Sequence, residues 1–177
     1  MPVKCFAALV MVLFSLLSAA GCAVNPVTGQ QQLMLLSEQD DFRLGSQTDQ
    51  AVIVQKGLYL DDGLQNYLQG MGRSMAAISH RPGLAWQFKV MDSPVVNAFA
   101  APGGYVYVTR GLLAAINNEA ELAGVLGHEI GHVTARHSAQ QYSKKMLANL
   151  GLSLGQQFMG GYGDMLSPIV ETGAGLL

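Results

Sequence analysis

Charge is scarce in this sequence. Only 12% of its 177 residues are Asp, Glu, Lys or Arg, and ten cations against twelve anions leave a formal net charge of −2. That balance offers no cationic footprint, so no nucleic-acid partner is expected. Cysteine is almost missing: Cys5 and Cys22 are the two present, both near the start. A disulfide-stapled fold and a cysteine-ligated structural zinc are thereby excluded. After residue 22 there is no run of about 18 apolar residues, which argues against an active site inside a bilayer. What the chain does have is apolar side chains, 50% of the total. This excludes disorder for most of the chain and suits one compact domain.

The first residues read as an address. Met1 to Lys4 is a short, positive n-region, and Phe6 to Leu17 is an apolar stretch of signal-sequence length. Ser18-Ala19-Ala20-Gly21-Cys22 then resembles a bacterial lipobox, with Ala19 where Leu is usual. The expectation is a lipoprotein signal over 1–21, lipidation of Cys22 and a membrane tether through that lipid. The alternative is an ordinary secretory signal cut after Ala20.

The mature part divides into readable elements. Asn25-Pro26-Val27-Thr28-Gly29 is turn-rich, and Ser37 can cap a helix over about 38–55. Asp61 and Asp62 open a second helix, with Leu64, Tyr67, Leu68, Met71, Met75 and Ile78 spaced along one face. Leu84 to Val90 alternates like a half-buried strand. Val95–Ala101 and Tyr105–Thr109 read as strands joined by a Pro102-Gly103-Gly104 turn. Leu112–Ile116 reads as a short helix, and a long helix starts at Asn118 and reaches toward Asn149. Glycines from Gly151 onward make a stable helix doubtful there.

The chemistry lies in His128-Glu129-Ile130-Gly131-His132. Histidines four apart on a helix stand about 40° apart around its axis, so both rings leave one face. Glu129, about 100° further round, can lean over the open position of a metal without ligating it. This is the zinc-protease arrangement: two imidazoles for zinc and a carboxylate as general base toward water. Gly124, Gly127 and Gly131 form a stripe on the same helix, which suggests either a closely packed backbone beside the zinc face or general close packing. Glu121 can orient a ligand histidine or cap the helix, and capping is the stronger reading. His137 falls about 140° from His132 on a continuous helix and points elsewhere. His80 reads as a helix-end residue.

With these residues in view, the chain resembles the HtpX- and CaaX-prenyl-protease-like family of zinc metallopeptidases, nearest to its periplasmic lipoprotein branch of the BepA and LoiP type. Three segments carry the resemblance. They are Asn25–Gly29 leading to Ser37-Glu38, Asn97–Gly104 with Tyr105–Leu113, and Glu121–Ala123 running through the histidines to Ala135-Arg136-His137. The resemblance implies an α+β, mostly helical zincin-like (gluzincin) domain over 22–177, with a small β-sheet over the active-site helix. It gives His128 and His132 the role of zinc ligands and Glu129 that of general base. It also implies polypeptide substrates, misfolded or misassembled envelope proteins, held along Asn97, Ala98, Phe99 and Ala100. The expected location is the periplasmic face of a bacterial outer membrane. In the family the third zinc ligand is a Glu from a downstream Glu-x-x-x-Asp motif. Glu171-Thr172-Gly173-Ala174-Gly175 has Gly where Asp belongs. The expectation is an N-terminal piece of a longer protease or a truncated product, with Glu171 as a substitute ligand at best. The alternative function is a non-catalytic lipoprotein acting as chaperone or adaptor.

Overall fold

The structure, a computed structural model, describes residues 22–159. The signal segment 1–21 and Glu171 lie outside the described residues. The elements run β1 (Cys22–Val24), β2 (Gln31–Leu33), α1 (Glu38–Lys56), α2 (Asp62–Ala76), β3 (Gln87–Met91), β4 (Ala98–Ala101), a 3₁₀ turn (Pro102–Gly104), β5 (Tyr105–Thr109), α3 (Arg110–Ala115), α4 (Glu119–Thr134) and α5 (His137–Met159). The chain divides into two units between Ser143 and Lys144, within α5. The second unit, as far as it is described, is the remainder of α5.

In the first unit, β1 and β2 form an antiparallel hairpin, and β3, β5 and β4 form a three-stranded sheet in that order. β3 runs parallel to β5, and β4 antiparallel to it. Strand alternation sorts the side chains between two layers. Phe88, Val90, Val106 and Val108 join Leu68 and Ala76 of α2 and Leu122, Leu126, Ile130 and Val133 of α4 in one core. Met91, Ala101, Tyr105 and Tyr107 turn to the opposite face and pack with Val52 of α1. The small sheet therefore lies against α4, as the family resemblance implies.

Capping explains where helices start. Ser37 and Asp40 form a reciprocal capping box at α1, and the Asp61 carboxylate accepts the Leu64 N–H at α2. At α4 the Asn118 side chain accepts the Glu121 N–H. The Glu121 carboxylate takes the backbone N–H of Asn117 at 2.8 Å, one residue earlier than in a standard box. That bond, followed by the Asn117 side chain, holds the Glu121 carboxyl below its ordinary value. Glu121 is thus a helix-start residue.

The two edges of the three-stranded sheet differ. β3 is covered by glutamines of α2: Gln65 accepts the Val90 N–H at 2.9 Å, and Gln69 accepts the Phe88 N–H at 2.8 Å. Their amides donate back to the Val90 and Trp86 carbonyls. Among the described residues no strand pairs with the outer side of β4. Covering one edge with side-chain amides removes it as a pairing template and leaves the other available.

Several expectations are corrected. α2 ends at Ala76, so Ile78 lies beyond it and is 90% exposed. Val95 and Val96 precede β4 and are exposed rather than paired. The helix from Asn118 does not continue to Asn149: it stops at Thr134 and a new helix starts at His137. That second helix continues through Gly151 and Gly155 to Met159, because isolated glycines lower helix propensity without forbidding it.

The glycine stripe also reads differently. A Cβ at Gly124 or Gly131 would meet nothing within 4 Å, and one at Gly127 would meet only the Met75 methyl at 3.6 Å. The close approaches lie elsewhere. A Cβ on Gly45 would fall 2.0 Å from the Pro102 carbonyl oxygen, and one on Gly72 would fall 2.4 Å from the Phe88 ring. Phe88 is 2% exposed and has no room to retreat. Gly72→Ala is therefore expected to destabilise the domain by about 1–3 kcal/mol. A urea midpoint unchanged from wild type would refute that packing.

Candidate metal centre

α4 carries the residues that matter. Its buried stripe, Leu122, Leu126, Ile130 and Val133, faces the core and fixes the helix's rotation. Rotation then turns His128 outward and leaves Glu129 and His132 half-buried. The Nε2 atoms of His128 and His132 approach to 3.0 Å, with the rings edge-on. Two imidazoles whose Nε2 atoms converge in this way, once the proton between them is given up, suit a borderline-soft divalent ion such as zinc. Among the described residues no group of three or more His, Cys, Asp or Glu could hold a metal. Among the described residues the candidate donors are therefore a pair, His128 and His132.

Glu129 sits beside them. Burial raises its carboxyl above the ordinary value, while His132 and then His128 pull it down. A groove of about 480 Å³ opens in front, lined by Ala98, Leu112, Glu121, Gly124, Val125, His128 and Glu129. The vacant space over Gly124 is part of it. Gly124 thus borders a cavity and not a packed backbone.

β4 forms one wall. Ala98 faces the groove. Phe99 points the other way, stacked on Tyr107 with ring centroids 4.7 Å apart. Asn97 precedes the strand, and its backbone is tied on both sides to Thr109. Of the four expected substrate-binding residues, Ala98 alone lines the groove.

Sequence reasoning missed what surrounds the far end of α4. Arg136 takes a left-handed backbone (φ 57°), the one non-glycine to do so among the described residues. It stands just past the Ala135 cap, where glycine commonly ends a helix. Its cost of about 1–2 kcal/mol is offset by tertiary bonds. The Arg136 guanidinium donates to Asp41 at 2.8 Å and to the Leu36 and Ser37 carbonyls. Arg81 lies 3.8 Å from the same carboxylate and donates to the Val133 carbonyl at the helix end. Asn25 joins from the leader, bonding its own turn at Val27 and Thr28 and reaching the Ala135 carbonyl at 3.4 Å. The advance signals were the Asn-Pro-Val-Thr-Gly turn and the Ala135-Arg136-His137 end of the family resemblance.

The break at Arg136 moves His137. The sequence places it away from the zinc face, but its Nδ1 lies 2.8 Å from His132 Nδ1. Burial, then the charge of His132, lowers its pKa. His80 joins no such cluster among the described residues.

Comparison with known proteins meets this geometry. The family model described as "Peptidase family M48" matches residues 63–167, more than half of the chain. The mitochondrial metalloendopeptidase OMA1 of Arabidopsis thaliana is 40% identical over 86 residues, covering 49% of this chain and 18% of that protein. The mitochondrial metalloendopeptidase OMA1 of Bos taurus is 32% identical over 130 residues, covering 68% of this chain and 24% of its own length. The beta-barrel assembly-enhancing protease of Escherichia coli (strain K12) is 34% identical over 80 residues, covering 45% and 16%. The chain thus spans about a fifth of the length of such curated relatives.

Proposed function

The chain belongs to peptidase family M48, and on that premise we propose that it is a zinc-dependent metalloendopeptidase of the bacterial cell envelope. The observation that carries this reading is the convergence of His128 and His132 Nε2 at 3.0 Å beside a half-buried Glu129, at the wall of an open groove. His128 and His132 would hold the zinc. Glu171, outside the described residues, is the substitute third donor the sequence offers. When bound, zinc supplies Lewis acidity toward water and a peptide carbonyl. Glu129 would take the proton of the attacking water and pass it to the leaving amine.

The polypeptide would lie along β4. Asn97 spends its backbone groups on Thr109, so antiparallel alternation sends the N–H and C=O of Ala98 and Ala100 to the open edge. A strand added there is held by main-chain bonds and tolerates many sequences. Phe99 then contributes backbone, with its ring committed to Tyr107. Tolerance of sequence fits misfolded or misassembled envelope proteins as substrates. The lipobox-like segment before Cys22 and the beta-barrel assembly-enhancing protease relatives support an envelope site, whereas the OMA1 relatives are mitochondrial by name. Lipidation of Cys22, the residue that heads β1, would tether the domain to the outer membrane on its periplasmic face.

Metal content tests the reading. Purified protein is expected to hold about one zinc per chain, lost from the His128→Ala/His132→Ala double variant, and to cleave casein. A folded wild type that takes up no zinc and cleaves nothing would favour a chaperone or adaptor instead.

A further inference from the structure

We propose that His137 is a positioning residue for this metal centre: it accepts the Nδ1–H of His132 and thereby fixes the tautomer that leaves His132 Nε2 bare. The proposal rests on the metal site described above and adds a residue to it. Its geometry is a chain of three rings. His128 Nε2 faces His132 Nε2 at 3.0 Å, and His132 Nδ1 faces His137 Nδ1 at 2.8 Å. The second pair of rings meets edge-on, with centroids 4.9 Å apart.

Each gap is of hydrogen-bond length and holds one proton. A neutral imidazole carries one N–H, so the chain has two possible polarities. In one, His137 donates to His132, which donates to His128; His132 then has no lone pair at Nε2. In the other, His132 donates from Nδ1 to His137, and its Nε2 is an acceptor. Metal ligation through Nε2 requires the second. His137 is then protonated at Nε2, the form an unrestrained imidazole prefers, while His132 takes the less favoured Nδ1–H form. The hydrogen bond to His137 supplies that bias. Ligand histidines usually donate their second N–H to a carboxylate, carbonyl or water, and loss of that partner weakens metal binding. Here a third histidine fills the role.

The fold supplies the placement. On an uninterrupted helix His137 would stand about 140° from His132. The left-handed turn at Arg136, anchored by Asp41 and by the Leu36 and Ser37 carbonyls, folds it back.

The test uses the full chain with two readouts, both at a pH of about 8, where an ordinary imidazole is neutral. Long-range ¹⁵N–¹H correlation of metal-free protein reads the His132 tautomer, and chelator competition reads zinc affinity. Wild type and His137→Asn, whose Oδ1 can replace Nδ1 as acceptor, should both show His132 as Nδ1–H and bind zinc alike. His137→Phe should turn His132 to the Nε2–H form and weaken zinc binding about 10- to 100-fold. An Nε2–H tautomer at His132 in wild type overturns the proposal. So does a His137→Phe protein that binds as wild type, or a His137→Asn protein that loses as much as His137→Phe. If His137→Phe does not fold, the wild-type tautomer and the Asn variant decide. Absence of zinc binding in wild type would instead defeat the metalloprotease reading, and the metal-free tautomer would still decide the role of His137.

Discussion

Glu129→Gln is expected to lower casein cleavage by about 10²- to 10⁴-fold, the range for removing a general base, while zinc content stays at the wild-type level. The amide matches the carboxylate in size, so the half-buried position beside the histidines stays filled. What changes is the ability to accept a proton. Burial already raises the Glu129 carboxyl, and the neighbouring His132 and His128 restrain it. A carboxylate there can accept the proton, and an amide cannot. Zinc content and a cleavage time course on the same preparation separate two roles. Loss of metal would make Glu129 a ligand, and unchanged cleavage would remove it from the chemistry.

The second large effect concerns stability. Asp41→Ala is expected to destabilise the domain by about 3–5 kcal/mol, the cost of stranding a buried charge. Asp41 is 2% exposed, and the side chains of Arg136 and Arg81 are 10% and 9% exposed. Removing the carboxylate leaves the Arg136 guanidinium without its anion, while Arg81 keeps Glu38 at 3.0 Å. Arg136→Ala should also be destabilising, because it leaves the buried Asp41 carboxylate with Arg81, at 3.8 Å, as its neighbouring cation. The double variant should be more stable than the sum of the singles, because the two changes share one interaction. Urea unfolding of the four proteins measures this. Additive losses would mean that the pair is not coupled.

These two residues also show how far the sequence reaches. Glu129 was legible at once, because the spacing His-Glu-x-x-His fixes three side chains on a helix by helical geometry alone. Asp41 was not: in sequence it is one of three acids in the first turn of α1, where a dipole role is enough to explain it. Its partner lies 95 residues away, and no local pattern announces such a bond. The glycines teach the same point. A helical wheel shows which glycines share a face, but not what lies opposite. Gly124 and Gly131 of the α4 stripe face open space, while Gly72 carries the Phe88 ring against its Cα.

The sequence by itself determined the α4 start, the shared face of His128 and His132, the sheet's alternation and the turn between β4 and β5. All of these follow from residues within a few positions of one another. Tertiary structure alone decided which sheet edge stays open, since Gln65 and Gln69 of α2 cover the other. It also decided where α4 ends. Nothing near Arg136 breaks a helix, and a non-glycine residue avoids the left-handed region when left to itself. Bonds to Asp41, Leu36 and Ser37 outweigh that preference, and through them a distant carboxylate brings His137 against His132.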